Sequence, residues 1–337
     1  MSAMTEVSYS DGAAPSEPLR APRATNPWVA FVRRRIISVV VILLLLATVT
    51  FSLVRLIPGD PGVIIGGTAS TRAEQMAIDH RLGVDRPFLT QYWTYWSNLL
   101  HGDLGRSFVT NDPVTTILKQ NAGASLQVAG LALLLVLAVS IPGGIALGAL
   151  TRDRRHRHVE NWFTGIASVV GAMPELLVAT LLAYAFALQL KVFPVGGTGG
   201  INFLVLPVLA ISLRPIAILL RLVRVETLSA LATDYVRTAR SKRLPARTLY
   251  LRHVLPNVVT AALTIGGLLF ADLIAGTVIV ETIFARRGLG TTLVNAVLSR
   301  DYPVIQGMVL VLGVAVVFAN AIVDFLLASL DPRQVSR

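Results

Sequence analysis

The 337-residue sequence contains no cysteine, which excludes disulfide bonds, thiolate metal ligands and cysteine nucleophiles. Charged residues are also scarce: they make up 15% of the chain, whereas an ordinary soluble domain has about a quarter. Hydrophobic residues reach 54%. Much of the surface must therefore face something other than water.

Sequence motifs for phosphate binding and hydrolysis are missing as well. None of the three lysines, Lys119, Lys191 and Lys242, lies in a GxxxxGK[ST] loop, and neither HExxH nor GxSxG occurs. His156 and His158 lie in an arginine-rich segment, which favours a solvated basic face over a metal site. We therefore predict no catalytic residue, no metal site and no cofactor in this chain, and a role in transport rather than in enzymatic catalysis.

Long apolar runs predict an all-α membrane protein with six transmembrane helices. Pro142, Pro174 and Pro215 fall inside these runs, and we expect neighbouring helices to re-satisfy the backbone groups that they free. The predicted spans are Ile36–Ile57, Ala124–Leu150, Trp162–Leu190, Phe203–Leu222, Val258–Ile283 and Val304–Leu327.

The distribution of arginine indicates the orientation of these spans. Arginines concentrate at 33–35, 152–157 and 224–252, whereas the segment between the first two spans mixes both signs. The positive-inside rule then places both termini and the 224–252 passage in the cytoplasm. The net charge of +11 thus reflects topology rather than binding to nucleic acid.

This topology divides the chain into five segments. They are a disordered cytoplasmic tail (1–30), the first span (31–57), an extracytoplasmic segment with short helices (58–122), a core of five spans (123–328) and a short cytoplasmic tail (329–337). The core includes one long cytoplasmic loop at 224–257.

The extracytoplasmic segment has two local helix signals. Thr71 and Glu74 have the spacing of a capping box, which predicts a helix over 73–82. The run 88-FLTQYWTYWSNLLHG-102 predicts a short amphipathic helix that ends near Gly102. Its aromatic residues favour the membrane–water interface.

Three ionisable residues lie near the middle of predicted spans: Glu175, Arg214 and Asp272. Charges at this depth usually face a bundle interior or an aqueous path. One interpretation is that the two acids line a translocation path and attract a cationic group, such as a peptide amino terminus. The other is a buried Arg214–Asp272 pair that holds two helices together.

Eight short motifs follow one another along the chain at consistent spacing. They are 57-IPGDP-61, 82-LGVDRPFLTQY-92, 102-GDLGRSF-108, 234-DYVRTARSKRL-244, 252-RHVLPN-257, 280-VETIFARRGLG-290, 300-RDYPVIQG-307 and 330-LDPR-333. Beyond about residue 30 the chain therefore resembles the permease subunits of the dipeptide, oligopeptide and nickel ABC importers.

The resemblance implies a type I ABC importer permease in the bacterial inner membrane that imports peptides. Nickel, glutathione or another small solute is the alternative cargo. It also implies a second, homologous permease subunit, two cytoplasmic ATPase subunits that carry ATP and Mg, an extracytoplasmic substrate-binding protein, and contact with membrane lipid.

The loop 234–256 resembles the ATPase-coupling loop of such permeases. A permease without a nucleotide site can use ATP only through contact with another protein, and a short amphipathic helix supplies that contact. The resemblance assigns this role to Asp234, Tyr235, Arg237, Thr238, Ala239, Arg243, Leu244 and Pro245. The alternative is a basic loop attracted to anionic lipid headgroups.

Arg243 stands where the family pattern has glycine. An L-residue at positive φ costs on the order of 1 kcal/mol, and the residue before Pro245 is disfavoured in the helical region. We therefore predict that Leu244-Pro245, rather than residue 243, makes the bend between two helices at roughly 225–242 and 245–255.

The resemblance also suggests an outer face for the binding protein, to which we assign Gly102, Asp103, Glu281 and Arg286. The alternative for Glu281 is a residue that caps and solvates a helix end.

Three other classes of protein remain as rivals. An ion-coupled secondary transporter would show broken helices at matching positions in two halves. A membrane-embedded enzyme would need the catalytic motifs that are missing here. A structural scaffold is the third rival.

Overall fold

The computed structural model describes residues 27–56, 61–66, 70–83, 85–152, 156–197 and 199–330. The predicted disordered tail up to residue 26, most of the IPGDP motif, Arg154, Arg155 and the last seven residues lie outside this part of the chain.

The regular elements of the described residues are helices, numbered α1 to α13 along the chain. Two π-helical segments add to them: Ala183–Gln189 continues α7, and Leu249–Val254 joins α10 to α11. The helices are α1 (Pro27–Leu56), α2 (Pro61–Gly66), α3 (Arg72–Leu82), α4 (Phe88–Leu100), α5 (Val114–Leu150), α6 (Arg157–Ala172), α7 (Glu175–Leu182), α8 (Asn202–Ala232), α9 (Asp234–Ser241), α10 (Ala246–Thr248), α11 (Leu255–Ile283), α12 (Leu289–Leu298) and α13 (Tyr302–Leu330).

Five described helices are long and apolar enough to cross a bilayer: α1, α5, α8, the continuous helix Ala246–Ile283, and α13. The all-α membrane fold is therefore confirmed, and the spans are longer than predicted. The second begins at Val114 instead of Ala124, and the fourth runs on to Ala232 instead of ending at Leu222. These extensions are amphipathic rather than uniformly apolar, so hydropathy alone misses them.

The third predicted span, Trp162–Leu190, is not one helix. It is broken between α6 and α7, which meet at an angle of 100° at Met173-Pro174. Met173 is extended (φ −70°, ψ 129°), as expected of a residue that precedes proline. Pro142 and Pro215, by contrast, lie inside unbroken helices.

α5 and α8 form the central pair of the bundle, and their close approach depends on the small residues of 144-GIALG-148. A Cβ atom on Gly144 would lie 2.4 Å from Val223 Cγ1, and one on Gly148 would lie 2.7 Å from Thr227 Cβ. At the cytoplasmic end of this pair, α9 and the start of α11 join the same apolar cluster. The cytoplasmic loop is therefore part of the core.

Candidate functional site

The predicted coupling segment consists of the amphipathic helix α9, a turn, and the helix that begins at Ala246. Val236 and Ala239 of α9 are buried against Leu249 and Val254 of the π-helical segment and against Leu231 of α8. Residues 241–247 are exposed without interruption. One face of the segment is thus packed into the protein and the other is free for contact.

The two helices of this segment differ from the predicted 225–242 and 245–255. The first is divided at Thr233, where α8 ends and α9 begins, so Asp234 is the first residue of a helix of its own. The second does not stop at 255 but continues through α11 into the membrane. The predicted bend at Leu244-Pro245 does separate two helices, and no helix runs through 240–250.

The turn itself corrects the prediction for Arg243. Arg243 is left-handed, with φ 54°. Its amide donates to the Arg240 carbonyl at 2.8 Å, and the Leu244 amide donates to the Ala239 carbonyl at 3.4 Å. These two bonds form a Schellman motif, in which the left-handed position is usually glycine. Arg243 therefore adopts the conformation for which the family pattern has glycine, and Pro245 only caps the next helix.

Tyr235 links α9 to the beginning of α11. Its hydroxyl accepts a hydrogen bond from Asn257 Nδ2 and donates a long one (3.5 Å) to the His253 carbonyl. The Asp234–Arg237 pair is weak by comparison, because its atoms are 3.7 Å apart and its side chains are largely exposed. Arg237 and Thr238 are exposed and available to a partner.

The charged residues Glu175, Arg214 and Asp272 lie near one another on an open face of the chain. Glu175 interacts electrostatically with both of the others. Its carboxylate lies against the backbone of α11, since a Cβ atom on Gly276 would be 2.6 Å from Glu175 Oε2. Glu175 is half-buried, whereas Arg214 and Asp272 are exposed.

This arrangement excludes the buried Arg214–Asp272 pair. None of the ion pairs found among the described residues joins these two side chains, and neither is buried. Both side chains lie on a face of the bundle that is open in the single chain.

Glu281 is fully buried, and the prediction that it is displayed at the outer surface is wrong for this chain. Its carboxylate accepts hydrogen bonds from Ser125 Oγ at 2.5 Å and from the Gly290 amide at 2.8 Å. Ser125 Oγ in turn accepts one from the Leu289 amide at 2.8 Å. Glu281 and Ser125 thus hold the N-terminus of α12 against α5 and α11. Glu281 does cap a helix, but it is not solvated.

Arg286 is also buried, which removes it from the exposed docking face. One of its nitrogens, Nη2, donates to Gln127 Oε1 at 3.1 Å. Burial lowers the pKa of the Arg286 guanidinium, and the nearby Glu281 carboxylate opposes this shift. Gly102 and Asp103, the other two predicted docking residues, are exposed.

Two of the quoted motifs meet at the outer face, where the segment 102–108 packs on the α12–α13 connection. The buried carboxylate of Asp301 accepts hydrogen bonds from Ser107 Oγ and from the Phe108 amide, the latter at 2.9 Å. The Phe108 and Tyr302 rings pack edge to face, 6.2 Å apart. The outer loop is therefore held in one position by side chains almost 200 residues away.

The predicted aromatic helix is confirmed as α4 and packs on α1. The ring of Phe51 contacts those of Phe88, Tyr92 and Tyr95, and Thr48 Oγ1 lies 3.0 Å from the Tyr92 hydroxyl. Burial raises the pKa of Tyr95 to about 12. Gly102 (φ 75°) follows the helix, as predicted.

A polar cluster at the cytoplasmic end of the bundle is not predicted from the sequence. The buried Arg224 donates to Glu160 Oε1 at 2.6 Å and to Thr151 Oγ1 at 3.0 Å. It thereby ties α8 to α6 and to the end of α5. The only sequence signal is that Arg224 and Glu160 each lie two residues outside a predicted span. Among the described residues, no group of His, Asp and Glu has the arrangement of a metal site.

Comparisons with known proteins agree with this geometry. The family model described as "Binding-protein-dependent transport system inner membrane component" matches residues 140–336, and the model of the N-terminal part of such membrane components matches residues 28–129. The chain therefore belongs to this family, and it is a multi-pass permease of the inner membrane.

Individual relatives cover almost the entire chain. The oligopeptide transport system permease protein OppB of Salmonella typhimurium is 33% identical over 307 residues, which cover 90% of this chain and 98% of that protein. The dipeptide transport system permease protein DppB of Lactococcus lactis is 31% identical over 310 residues, with coverage of 90% and 99%.

A solved structure confirms the fold. The MetNI methionine ABC transporter in an inward-facing conformation contains a chain that matches with a TM-score of 0.55 and 12% identity, over 64% of this chain and 97% of that one. At this identity the likeness concerns the fold alone.

Proposed function

We propose that this permease belongs to an ATP-driven importer of peptides and forms half of its translocation path. Relatives named for oligopeptide and dipeptide transport support peptides as the cargo, in preference to nickel, glutathione or another small solute. A second permease subunit would complete the path, two ATPase subunits with ATP and Mg would drive it, and an extracytoplasmic binding protein would deliver the substrate.

The observation that carries this proposal is the coupling segment. Its buried residues, Val236 and Ala239, belong to the same apolar cluster as α5, α8 and α11. Its exposed residues carry positive charge towards the cytoplasm at Arg237, Lys242 and Arg243. An ATPase subunit that binds this surface could therefore move α5, α8 and α11 together, which coupling of ATP hydrolysis to transport requires.

The absence of cysteine from the chain makes a direct test possible, because an introduced thiol is the only one in this subunit. Ser241→Cys, on the exposed side of the coupling segment, should cross-link to the ATPase subunit in membranes. Leu100→Cys, which is 81% exposed near the outer face, is the matched control and should not. Cross-linking from both positions, or from neither, would contradict the proposal.

Charge reversal tests the same contact through function. Arg237→Glu should weaken ATPase attachment and peptide uptake together, because it removes a charge that faces the partner. Arg157→Glu reverses an exposed charge on another cytoplasmic loop and should leave uptake near the level of the parent protein. A larger loss from Arg157→Glu than from Arg237→Glu would refute coupling through this segment.

The open face with Glu175, Arg214 and Asp272 supports a path with a net charge of −1. Glu175→Gln and Asp272→Asn should reduce uptake of a lysine-containing tripeptide more than that of an uncharged one, whereas Arg214→Gln should have the opposite effect. Unaltered uptake of the cationic peptide by both acid variants would defeat this assignment.

Gly102 and Asp103 support a docking site for the binding protein, since both are exposed on the fixed outer loop. Asp103→Lys should reduce the stimulation of ATPase activity by the binding protein. Asp85→Lys, at another exposed acid on the same side, should not. Equal effects would argue against docking at Asp103.

Energy coupling separates this function from a secondary transporter. One bent pair, α6 with α7, occurs among the described residues, whereas an inverted-repeat transporter has broken helices at matching positions in both halves. The complete complex in vesicles should transport with an ionophore present and stop without ATP. Transport that needs an ion gradient and no ATP would instead establish the rival.

A further inference from the structure

An apolar groove lies between the cytoplasmic end of α5 and the helix that begins at Ala246. It has a volume of about 490 Å³ and almost no polar lining. The residues that line it are Ile141, Pro142, Ile145, Ala146 and Ala149 on one side and Tyr250, Leu251 and Leu255 on the other. Leu251 is 53% exposed, so a large apolar side chain faces the opening of the groove without a partner in this chain.

The groove lies towards the cytoplasmic end of a membrane-spanning helix. Its α5 wall occupies the last ten residues of a membrane-spanning helix, and at 1.5 Å per residue it reaches about 14 Å from the cytoplasmic end. Tyr250 lies on the opposite wall, and tyrosine is enriched at the level of the lipid headgroups.

Two arginines lie close in sequence to the groove residue Leu251, on the helix that forms one wall of the groove. Arg247 precedes Leu251 by four residues, so it lies on the same helix face, one turn nearer the cytoplasm. Arg252 is adjacent to Leu251 in sequence, and both arginines are exposed. No acidic residue occurs between Tyr235 and Ala271 in the sequence. An anionic group would therefore meet two guanidinium groups and no carboxylate from this segment.

We propose that this groove binds an anionic phospholipid of the cytoplasmic leaflet, with an acyl chain along Ala146 and Leu251 and the phosphate near Arg247 and Arg252. Basic pockets between membrane helices on the cytoplasmic side bind anionic headgroups in this way. An apolar segment of another protein would fit the groove but would make no use of the two arginines.

The two arginines proposed to bind the lipid differ from the basic residues proposed to contact the ATPase. Arg237, Lys242 and Arg243 lie before Pro245, on α9 and its turn, whereas Arg247 and Arg252 belong to the helix that enters the membrane. A lipid in the groove would support the first two turns of that helix, directly behind the segment on which the ATPase is proposed to act.

Native mass spectrometry of the complex purified in a mild detergent tests this proposal. Phosphatidylglycerol and phosphatidylcholine with identical acyl chains are added as probes, and the lipid-bound fraction is measured as a function of concentration. We expect phosphatidylglycerol to bind more tightly. Arg247→Gln and Arg252→Gln should each weaken it by about fivefold, and the double variant by about 25-fold, while binding of phosphatidylcholine changes little.

Ala146→Phe fills the groove from an exposed position and should reduce the binding of both lipids. Gly130→Ala on the same helix is the control: a Cβ atom there meets nothing within 4 Å, and lipid binding should be unchanged. Arg157→Gln controls for loss of a cytoplasmic charge elsewhere.

The opposite results would overturn the proposal. Equal binding of the two lipids, or retention of phosphatidylglycerol by both Ala146→Phe and the double arginine variant, would exclude a lipid site. Loss of a protein subunit from the complex on Ala146→Phe, with lipid binding unchanged, would show that a partner subunit covers the groove instead.

Discussion

The left-handed backbone of Arg243 makes Arg243→Gly the most informative single substitution in the coupling segment. An L-residue in this conformation is less stable by about 1–2 kcal/mol, because its Cβ atom approaches the following carbonyl oxygen. Glycine avoids this repulsion but loses more backbone entropy on folding, roughly 0.5–1 kcal/mol. We expect a net stabilisation of the turn by about 0.5–1 kcal/mol.

Hydrogen exchange measures this effect where it occurs. The Arg243 and Leu244 amides close the Schellman motif by donating to the Arg240 and Ala239 carbonyls. A gain of about 1 kcal/mol in the free energy of local opening slows the exchange of such amides by about fivefold. Mass spectrometry of peptides that cover 240–256, in the purified complex, should show this slowing for Arg243→Gly.

Two control variants separate conformation from charge. Arg243→Ala removes the guanidinium but keeps the Cβ atom, so exchange should stay within about twofold of the parent protein. Lys242→Gly introduces glycine one residue earlier, where φ is −77°. That change removes no steric repulsion and should accelerate amide exchange, since glycine in an ordinary helical conformation lowers the stability of the helix by about 0.5–1 kcal/mol.

Exchange in Arg243→Gly that is as fast as in the parent protein, or faster, would refute a strained left-handed turn at this position. The same slowing in Arg243→Ala would also refute it, because the effect would then come from the charge. If Arg243 has a separate role in ATPase contact, Arg243→Gly should stabilise the turn and still reduce transport.

Other predictions concern the outer face and the extracytoplasmic helices. Gly288→Ala should lower the melting temperature, because its Cβ atom would lie 2.3 Å from the Glu281 carboxylate and would force it out of its hydrogen bonds, whereas Gly123→Ala, with nothing within 4 Å, should be neutral in thermal unfolding. Glu281→Gln should destabilise the protein by about 1–3 kcal/mol, since a buried hydrogen-bond network loses an acceptor; an unchanged melting temperature would contradict this. Thr71→Ala should reduce the protection of α3 from hydrogen exchange by about 1 kcal/mol, through loss of the capping box. Hydrogen bonds from Thr71 lower the pKa of Glu74 below 4.5, so this protection should be complete above pH 4.5 and decline as the pH falls through the lowered value; protection that rises on acidification would refute it.

The features that the sequence predicts best are those whose cause is local. The capping box needs only Thr71 and Glu74, and both of its hydrogen bonds form. The aromatic helix needs only its own periodicity, and it spans Phe88–Leu100. In both cases the interacting groups are within four residues of one another, so tertiary structure has little opportunity to override them.

Whether a proline breaks its helix cannot be predicted from the local sequence alone. Pro142, Pro174 and Pro215 each lie in an apolar run, yet only Pro174 breaks its helix. α8, which contains Pro215, is buried along much of its length, so packing compensates for the lost hydrogen bond. Within α6 only Ala167 is buried, so little holds that helix in line with α7. This difference in burial cannot be deduced from the flanking sequence.

Glu281 illustrates a second limit. The resemblance suggests that this residue belongs to an outer docking face, but it is buried and its partner Ser125 is 156 residues away in sequence. The glycines of the motif 280-VETIFARRGLG-290 are the sequence signal that indicates this burial. Gly288 and Gly290 leave no room for a side chain, which indicates that the chain folds back on itself at this point. A dense run of glycine after an acid is better interpreted as close packing than as an exposed loop.

The internal contacts of the cytoplasmic end constrain how the proposed ATPase could act. Val236 and Ala239 anchor α9 in a cluster shared with α5, α8 and α11, and Arg224 ties α8 to Glu160 at the start of α6. A force on α9 is therefore transmitted to four helices at once. α6 is followed by the 100° break at Pro174, and Glu175 of the proposed path is the first residue beyond that break. Three connections therefore lead from the ATPase contact to the proposed path: α8 carries Arg214, α11 carries Asp272, and Arg224 links α8 through α6 to the break that precedes Glu175.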